Sequence, residues 1–190
     1  NRYEIALFDI NDPGNKSNLS RLEQLYLKYS FKNSTISFGR QLINTPFINL
    51  QDGRMRPTNV GGVWINLKEI KKTKIEAGFL YQISPRGTTA WYSPGETLGI
   101  LPSGVNTDGS KALYKGNIKS NGIAILGITR QLNNEFSLQA WDVFAENIFN
   151  SAMLQLDYSR KLKNESKIIA GIQSIYQCPV HDGGNKDPLK

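Results

Sequence analysis

The sequence predicts an all-β chain folded as an antiparallel transmembrane β-barrel. Segments of about ten residues alternate apolar and polar side chains, the length at which a tilted strand crosses a bilayer. Four short polar turns join these segments in pairs, at Lys32-Asn33-Ser34, Lys71-Lys72, Leu132-Asn133-Asn134 and Lys163-Asn164. The other connections are mostly longer, the two-sided asymmetry of a membrane-spanning barrel.

An opening strand is expected over Tyr3 to Phe8. The clearest strand runs from Gln24 to Phe31, with Leu25, Leu27, Tyr29 and Phe31 on one face and Gln24, Tyr26, Lys28 and Ser30 on the other. Period two is the signature of a strand with two unlike faces. Past the first turn, Ile36 and Phe38 alternate with Thr35, Ser37, Gly39 and Gln41, the return arm of a hairpin. Arg40 falls on the Ile36 and Phe38 face. A charge there costs about 2–4 kcal/mol at mid-bilayer and little near the interface, so Arg40 is expected at the rim or re-aimed by a bulge.

The second pair sets Val63, Ile65 and Leu67 against Trp64, Asn66 and Lys68, then Ile75, Ala77, Phe79 and Tyr81 against Lys74, Glu76 and Gln82. The third joins Gly122–Arg130 to Phe136–Phe144, although Ile123 to Ile128 is too uniformly apolar for its faces to be told apart. In the fourth, Ala152, Leu154, Leu156 and Tyr158 oppose Met153, Gln155, Asp157 and Ser159, and Ile168, Ala170, Ile172 and Tyr176 return. Tyr29, Phe31, Phe79, Tyr81, Tyr158 and Tyr176 lie near strand ends, where an interfacial aromatic girdle would sit. About nine strands result, and an isolated run of that size would leave two open edges in lipid. Residues 1–190 are therefore expected to be one partial barrel domain, and doubling it gives about eighteen strands with an aqueous lumen.

Composition narrows the alternatives. With 190 residues, 39% of them hydrophobic, and a negative mean hydropathy, the chain would pass for a single soluble domain. Only half the residues of a barrel strand meet lipid, so a run of about twenty apolar residues is not required. None is present, which excludes a helical membrane protein. The net charge of +7 permits nucleic acid, an acidic membrane or an anionic solute. Lys32, Lys71, Lys72, Lys161 and Lys163 sit at or beside short turns, where solvated charge is the ordinary reading, so no nucleic-acid partner is expected. Cys178 and His181 are the sole cysteine and histidine, so no internal disulfide, no Cys/His metal site and no cofactor are expected. No charged segment followed by an apolar one opens the chain, which leaves a secretory signal absent or upstream.

Two long connections hold the informative loop sequence. Ile43 to Asn59 gathers Asn44, Thr45, Pro46, Asp52, Gly53, Arg54, Arg56 and Pro57, and in a wide barrel such a loop can fold inward and narrow the lumen. Residues 84–121, rich in Gly, Pro, Ser and Thr, are expected to form a packed external loop. Gly39-Arg40-Gln41-Leu42, Thr45-Pro46, Asp52-Gly53-Arg54-Met55-Arg56-Pro57 and Gly61-Gly62-Val63 together resemble the OprD family of outer-membrane porins. Ser84-Pro85-Arg86-Gly87, Trp91-Tyr92-Ser93, Gly104-Val105-Asn106 and the register of Trp141 to Phe149 extend the resemblance over most of the chain.

The resemblance implies a monomeric barrel of about eighteen strands in the outer membrane of a Gram-negative bacterium, of which this chain would hold roughly half. It also implies passive diffusion of small hydrophilic, often carboxylate-bearing solutes along basic residues, with membrane lipid and solute as partners. On that basis residues 43–59 match the constriction loop, with Arg54 and Arg56 as its basic contributors and Asp52 as counter-charge, and Arg40, at the end of the preceding strand, is counted with them as a constriction residue. Lys28, Lys68, Lys74, Glu76 and Arg130 are further candidates for the lumen. Without the resemblance, Arg54 and Arg56 would be read as surface-loop residues pairing with Asp52. The main alternative is a soluble antiparallel barrel or sandwich that binds a ligand and points its large residues inward. A filled barrel serving as an anchor is a third. No enzyme is expected, because His181 lies in a terminal loop beside Asp182-Gly183-Gly184 and no nucleophile with a positioned base can be named.

Overall fold

Alternation of the kind read above forms a sheet only if each strand finds a neighbour in register. In the computed structural model, which describes residues 7, 9, 12–50, 57–97, 119–162, 166–181 and 183, every strand pairs with its neighbour in sequence. The strands are β1 (Leu25–Phe31), β2 (Ser34–Gln41), β3 (Asn59–Leu67), β4 (Thr73–Ser84), β5 (Ile123–Gln131), β6 (Phe136–Ala145), β7 (Phe149–Lys161) and β8 (Lys167–Pro179). A single helical turn, α1 (Pro94–Thr97), lies between β4 and β5. The order β1 to β8 is an antiparallel meander, and among the described residues the sheet does not close. The expected opening strand falls, apart from Leu7, outside the described residues, as do positions 51–56 and 98–118 of the two long connections.

The short turns are fastened by local polar groups. Lys32 and Lys72 take left-handed backbone angles, φ 48 and 60, which let the chain reverse within a few residues. Asn133 Oδ1 accepts the N–H groups of Glu135 and Phe136 at 2.8 and 2.9 Å, an Asx turn that closes β5 onto β6. Glu69 ties two turns together, accepting from Asn33 N–H at 3.1 Å and from the Ser34 hydroxyl at 2.8 Å. On the opposite edge, β6 and β7 join through Glu146–Ile148, with Asn147 at φ 63. The other two connections on that edge are long, as the sequence predicts.

Register sorts the side chains onto two faces. One row runs Lys28, Ser37, Trp64, Gly78, Ile125, Val143, Ser151 and Gln177. The adjacent row, on the other face, runs Leu27, Phe38, Val63, Phe79, Ala124, Phe144, Asn150 and Cys178. This second face is apolar yet open: Leu27 is 77% exposed, Phe38 57% and Phe79 47%. A soluble barrel would bury such a face in its core, and a lipid-spanning one presents it outward. Aromatic contacts stand at both ends of it, Phe136 against Tyr158 at 4.9 Å and Phe38 against Tyr81 at 6.5 Å between ring centroids.

Two details depart from the period-two reading. The uniform run on β5 resolves, with Ile123, Ile125 and Gly127 on the Lys28 face and Ala124, Leu126 and Ile128 on the exposed one. On β4 the register shifts, Gly62 facing Leu80 but Gly61 facing Gln82, so Tyr81 is an extra residue. This bulge carries Gln82 off the face of Lys74 and Glu76, where alternation alone places it, and lays its side chain over Gly61.

The core lies on the Lys28 face, near the long connections. Val60, Trp64, Leu80, Ile125, Trp141, Val143 and Met153 form one buried cluster with Ile43, and Phe47 and Ile48 pack against it. Each of these two tryptophans lies over a glycine on the neighbouring strand. A Cβ added at Gly78 would stand 2.3 Å from the Trp64 ring, and one at Gly127 would stand 2.4 Å from the Trp141 ring. Only glycine leaves room for an indole pressed against the neighbouring backbone.

Candidate functional site

The segment after β2 turns back over the Lys28 face. Its bend is set by Thr45, whose hydroxyl accepts the N–H groups of Phe47 and Ile48 at 3.2 and 2.9 Å and whose own N–H donates to Ile48 O at 2.8 Å. The bend swings Ile43, Phe47 and Ile48 onto the core cluster, so the described part of the 43–59 connection covers the same face that carries the polar strand residues. Between this segment and the sheet lies an open recess of about 290 Å³. Its wall comes from the segment itself (Leu42, Ile43, Asn44) and from β1 to β4, where Lys28, Ser37, Trp64, Asn66, Lys74 and Glu76 contribute.

A chain of polar contacts crosses the recess floor. Lys74 Nζ stands 2.8 Å from Glu76 Oε2, and Glu76 is buried while the lysine side chain is 41% exposed. With its amide oriented to satisfy both neighbours, Asn66 donates to Glu76 Oε1 at 3.0 Å and accepts from Trp64 Nε1 at 3.2 Å. Ser37 Oγ donates to Gln41 Oε1 at 2.5 Å, and Gln41 Nε2 donates to Gly62 O at 3.3 Å. Glu76 is thus held by Asn66 and neutralised by Lys74. Lys28 is exposed on the same wall and makes no ion pair among the described residues. Among the described residues the recess therefore carries one uncompensated cation.

Further round the same face, β6 to β8 present amides. Gln173 Nε2 donates to Gln155 Oε1 at 2.6 Å, and Gln155 Nε2 donates to Asp157 at 2.8 and 3.0 Å. Gln139 adds a longer contact to Asp157 at 3.4 Å. The face thus passes from cationic on β1–β4 to amides gathered on the Asp157 carboxylate on β6–β8.

Of the residues singled out from sequence, Lys28, Lys74 and Glu76 line the recess. Asp52, Arg54 and Arg56 lie outside the described residues. Lys68 follows the end of β3, exposed, with its N–H donated to Ser34 Oγ at 3.0 Å at the turn edge, away from the recess. Arg130 is a correction. It pairs with Thr73 and Leu138, on the face of Ile128 and Leu126, so register directs it to the exposed apolar side and not to the lumen side. Arg40 is another. It opposes Leu25 and Gly61 on the apolar face at the loop end of β2, and its guanidinium stacks over Trp91 at 4.6 Å from the ring centroid, outside the recess wall. Ser37, Gln41 and Asn66 are wall residues that the sequence reading does not single out, though their shared parity with Lys28 and Lys74 is the signal that finds them.

The 84–97 stretch forms the rim beside this site. Arg21, its side chain only 1% exposed, donates to Ser84 Oγ at 3.0 Å and Thr88 O at 2.7 Å and pairs with Glu23 at 2.8 Å, pinning the segment before β1 to the loop. Ser93 and Glu96 make a capping box on α1: the carboxylate accepts from Ser93 N–H at 2.9 Å and from its hydroxyl at 2.8 Å. Those bonds hold the Glu96 carboxyl below its ordinary value, whereas burial, then Asp9 and Glu96, push the Tyr92 hydroxyl upward. A depressed carboxyl contributes stability above its unfolded value and loses it as pH falls through the folded one. Amide exchange around Glu96 is therefore expected to accelerate as pH drops below the ordinary carboxylate range, after correction for intrinsic exchange. Glu96→Gln should abolish that acceleration, and Ser93→Ala should speed exchange about fivefold at neutral pH, from about 1 kcal/mol of lost capping.

Comparison with known proteins agrees with this geometry. The family model for the OprD outer membrane porin family matches residues 6–182. Among solved structures, OccD3 (OpdP) of Pseudomonas aeruginosa is similar at TM-score 0.68 and 16% identity, over 86% of this chain and 36% of that one. A BenF-like porin from Pseudomonas fluorescens Pf-5 gives 0.63 and 17% over 80% and 35%, and OccAB1 of Acinetobacter baumannii gives 0.60 and 16% over 79% and 31%. No curated protein matches by sequence. The chain spans 31% to 38% of the length of the solved porins it matches. An open eight-stranded antiparallel meander with an apolar exposed face and a polar face under a folded-in segment is a stretch of transmembrane barrel wall. The chain belongs to the OprD family of outer membrane porins.

Proposed function

We propose that the complete protein is a monomeric passive channel for small hydrophilic solutes, favouring those with a carboxylate, and that it catalyses no reaction. The observation that carries this reading is the recess under the Leu42–Ile48 segment, where, among the described residues, Lys28 and Lys74 face a single carboxylate, Glu76. A surplus cation in a narrowed, water-filled passage attracts anions, because field lines from a charge are focused between low-dielectric walls. The remainder of the 43–59 connection would bring Asp52, Arg54 and Arg56 to the same constriction, adding one net positive charge. Partners are then membrane lipid on the apolar face and solute on the polar one.

Reversal potentials across a planar bilayer test the arginines. In the complete protein, Arg54→Ser with Arg56→Ser should lower anion preference in a salt gradient, and more so at low ionic strength. Unchanged selectivity would remove both from the passage.

A further inference from the structure

The short-turn edge of the sheet is strongly cationic. Lys32, Lys71 and Lys72 stand exposed on the first two turns, and Arg130, Arg160, Lys161 and Lys167 stand exposed at the strand ends beside the other two. The described carboxylates there are Glu69, engaged by Asn33 and Ser34, and Glu135, which faces Arg160 at 3.5 Å. Lys32, Lys71, Lys72 and Arg130 make no ion pair among the described residues. A cluster of charges on turns is ordinarily a solvated surface, but three further observations set this one apart.

Arg130 and Arg160 point along the lipid-facing register, beyond Ile128 and Tyr158 respectively. From there a long side chain reaches past the acyl boundary to the headgroups. Next, an apolar side chain is exposed at each of three turns: Ile70 at 56%, Leu132 at 48% and Leu162 at 42%. Apolar tips interleaved with cations suit the interface of a bilayer better than open water. Finally, Lys32 and Lys72 occupy left-handed positions that asparagine or glycine would fill with less strain. Both turns thus place a cation where the backbone favours asparagine or glycine.

We infer that this rim is a binding surface for anionic phospholipid headgroups of the leaflet that the short turns face, which in outer-membrane barrels is the periplasmic one. The aromatic contact of Phe136 with Tyr158 marks the edge of the hydrocarbon, and Arg130, Arg160, Lys71 and Lys72 reach the phosphates just beyond it.

The test uses the complete protein in phosphatidylcholine vesicles containing trace spin-labelled lipid. Spin-labelled phosphatidylglycerol should be motionally restricted at least twofold more than spin-labelled phosphatidylcholine, and about 0.5 M salt should remove most of that excess. The variant Lys71→Gln, Lys72→Gln, Arg130→Gln, Arg160→Gln should lose at least half of the excess while keeping the heat-modifiable mobility of a folded barrel. Should that variant not fold, the salt response of the unaltered protein and the single change Arg130→Gln carry the test. Equal restriction of the two lipids, an excess indifferent to salt, or an excess indifferent to the substitutions would overturn the inference. So would a result in which the same substitutions abolish binding to isolated peptidoglycan and leave lipid preference intact.

Discussion

Trp64→Ala should destabilise the barrel by about 3–5 kcal/mol, the usual loss when a fully buried large aromatic is truncated. Trp64 is 5% exposed at the centre of the cluster that joins β3 and β4 to Ile43 and the folded-in segment. Its removal strips the cover from Gly78, leaves Asn66 without the indole donor and takes a contact from the segment that forms the recess roof. Urea unfolding of the complete protein in lipid vesicles should show the full loss, and its open-channel current should rise and become noisier as the roof loosens. Trp64→Phe keeps a ring over Gly78 and gives up mainly the hydrogen bond, about 1 kcal/mol. Stability of the alanine variant within about 1 kcal/mol of the parent would mean that the cluster is not what holds the segment in place.

Lys28→Glu should reverse the charge balance of the recess with little effect on folding, since the side chain is exposed and forms no ion pair among the described residues. Lys28 and Lys74 against Glu76 become one cation against two carboxylates. At about 6 Å in a water-like dielectric a unit charge acts on a passing ion with about 0.7 kcal/mol, and reversing it changes the interaction by about twice that. Anion and cation shift in opposite senses, so their permeability ratio changes by about 2.8 kcal/mol unscreened and by about half of that near 0.1 M salt, an expected fall of about tenfold. At 1 M, where the charge is felt over only about 3 Å, the fall should be much smaller. Lys72→Glu, on the turn edge, serves as control and should leave the ratio nearly unchanged. If Lys28→Glu left the ratio where it was, the recess would not lie on the ion path.

Strand positions and faces are legible in the sequence because barrel strands obey period two and each short turn announces itself with polar residues. Alternation assigns both faces of Gln24 to Phe31 correctly, and those of β7 likewise from Ala152 to Ser159. The details it misses have local physical causes. A single extra residue at Tyr81 moves Gln82 to the opposite face, and nothing in a period-two pattern signals one inserted residue. Arg130 follows a run without polar contrast, so only pairing with β4 and β6 can assign its side. Arg40 falls on the apolar parity in sequence and structure alike, but its stacking partner Trp91 arrives from a distant loop.

The recess is half legible. Lys28, Lys74 and Glu76 share the polar parity, and so do Trp64 and Trp141, which look like exceptions to it in the sequence. They are apolar residues on the inner wall because a segment of the chain folds onto that wall and must be packed against. A pattern along one strand cannot register a contact that comes from the loop above it.

On the proposed function the Lys28 face lines the solute path and the Leu27 face meets lipid. The direct measurement is thiol modification at these two adjacent positions, in the complete protein with Cys178→Ser, during current recording across a planar bilayer. A charged, membrane-impermeant methanethiosulfonate should react with Lys28→Cys and step the current down, while Leu27→Cys stays silent. Reaction at Leu27→Cys as fast as at Lys28→Cys, or no current change at Lys28→Cys despite labelling, would contradict the assignment of the two faces.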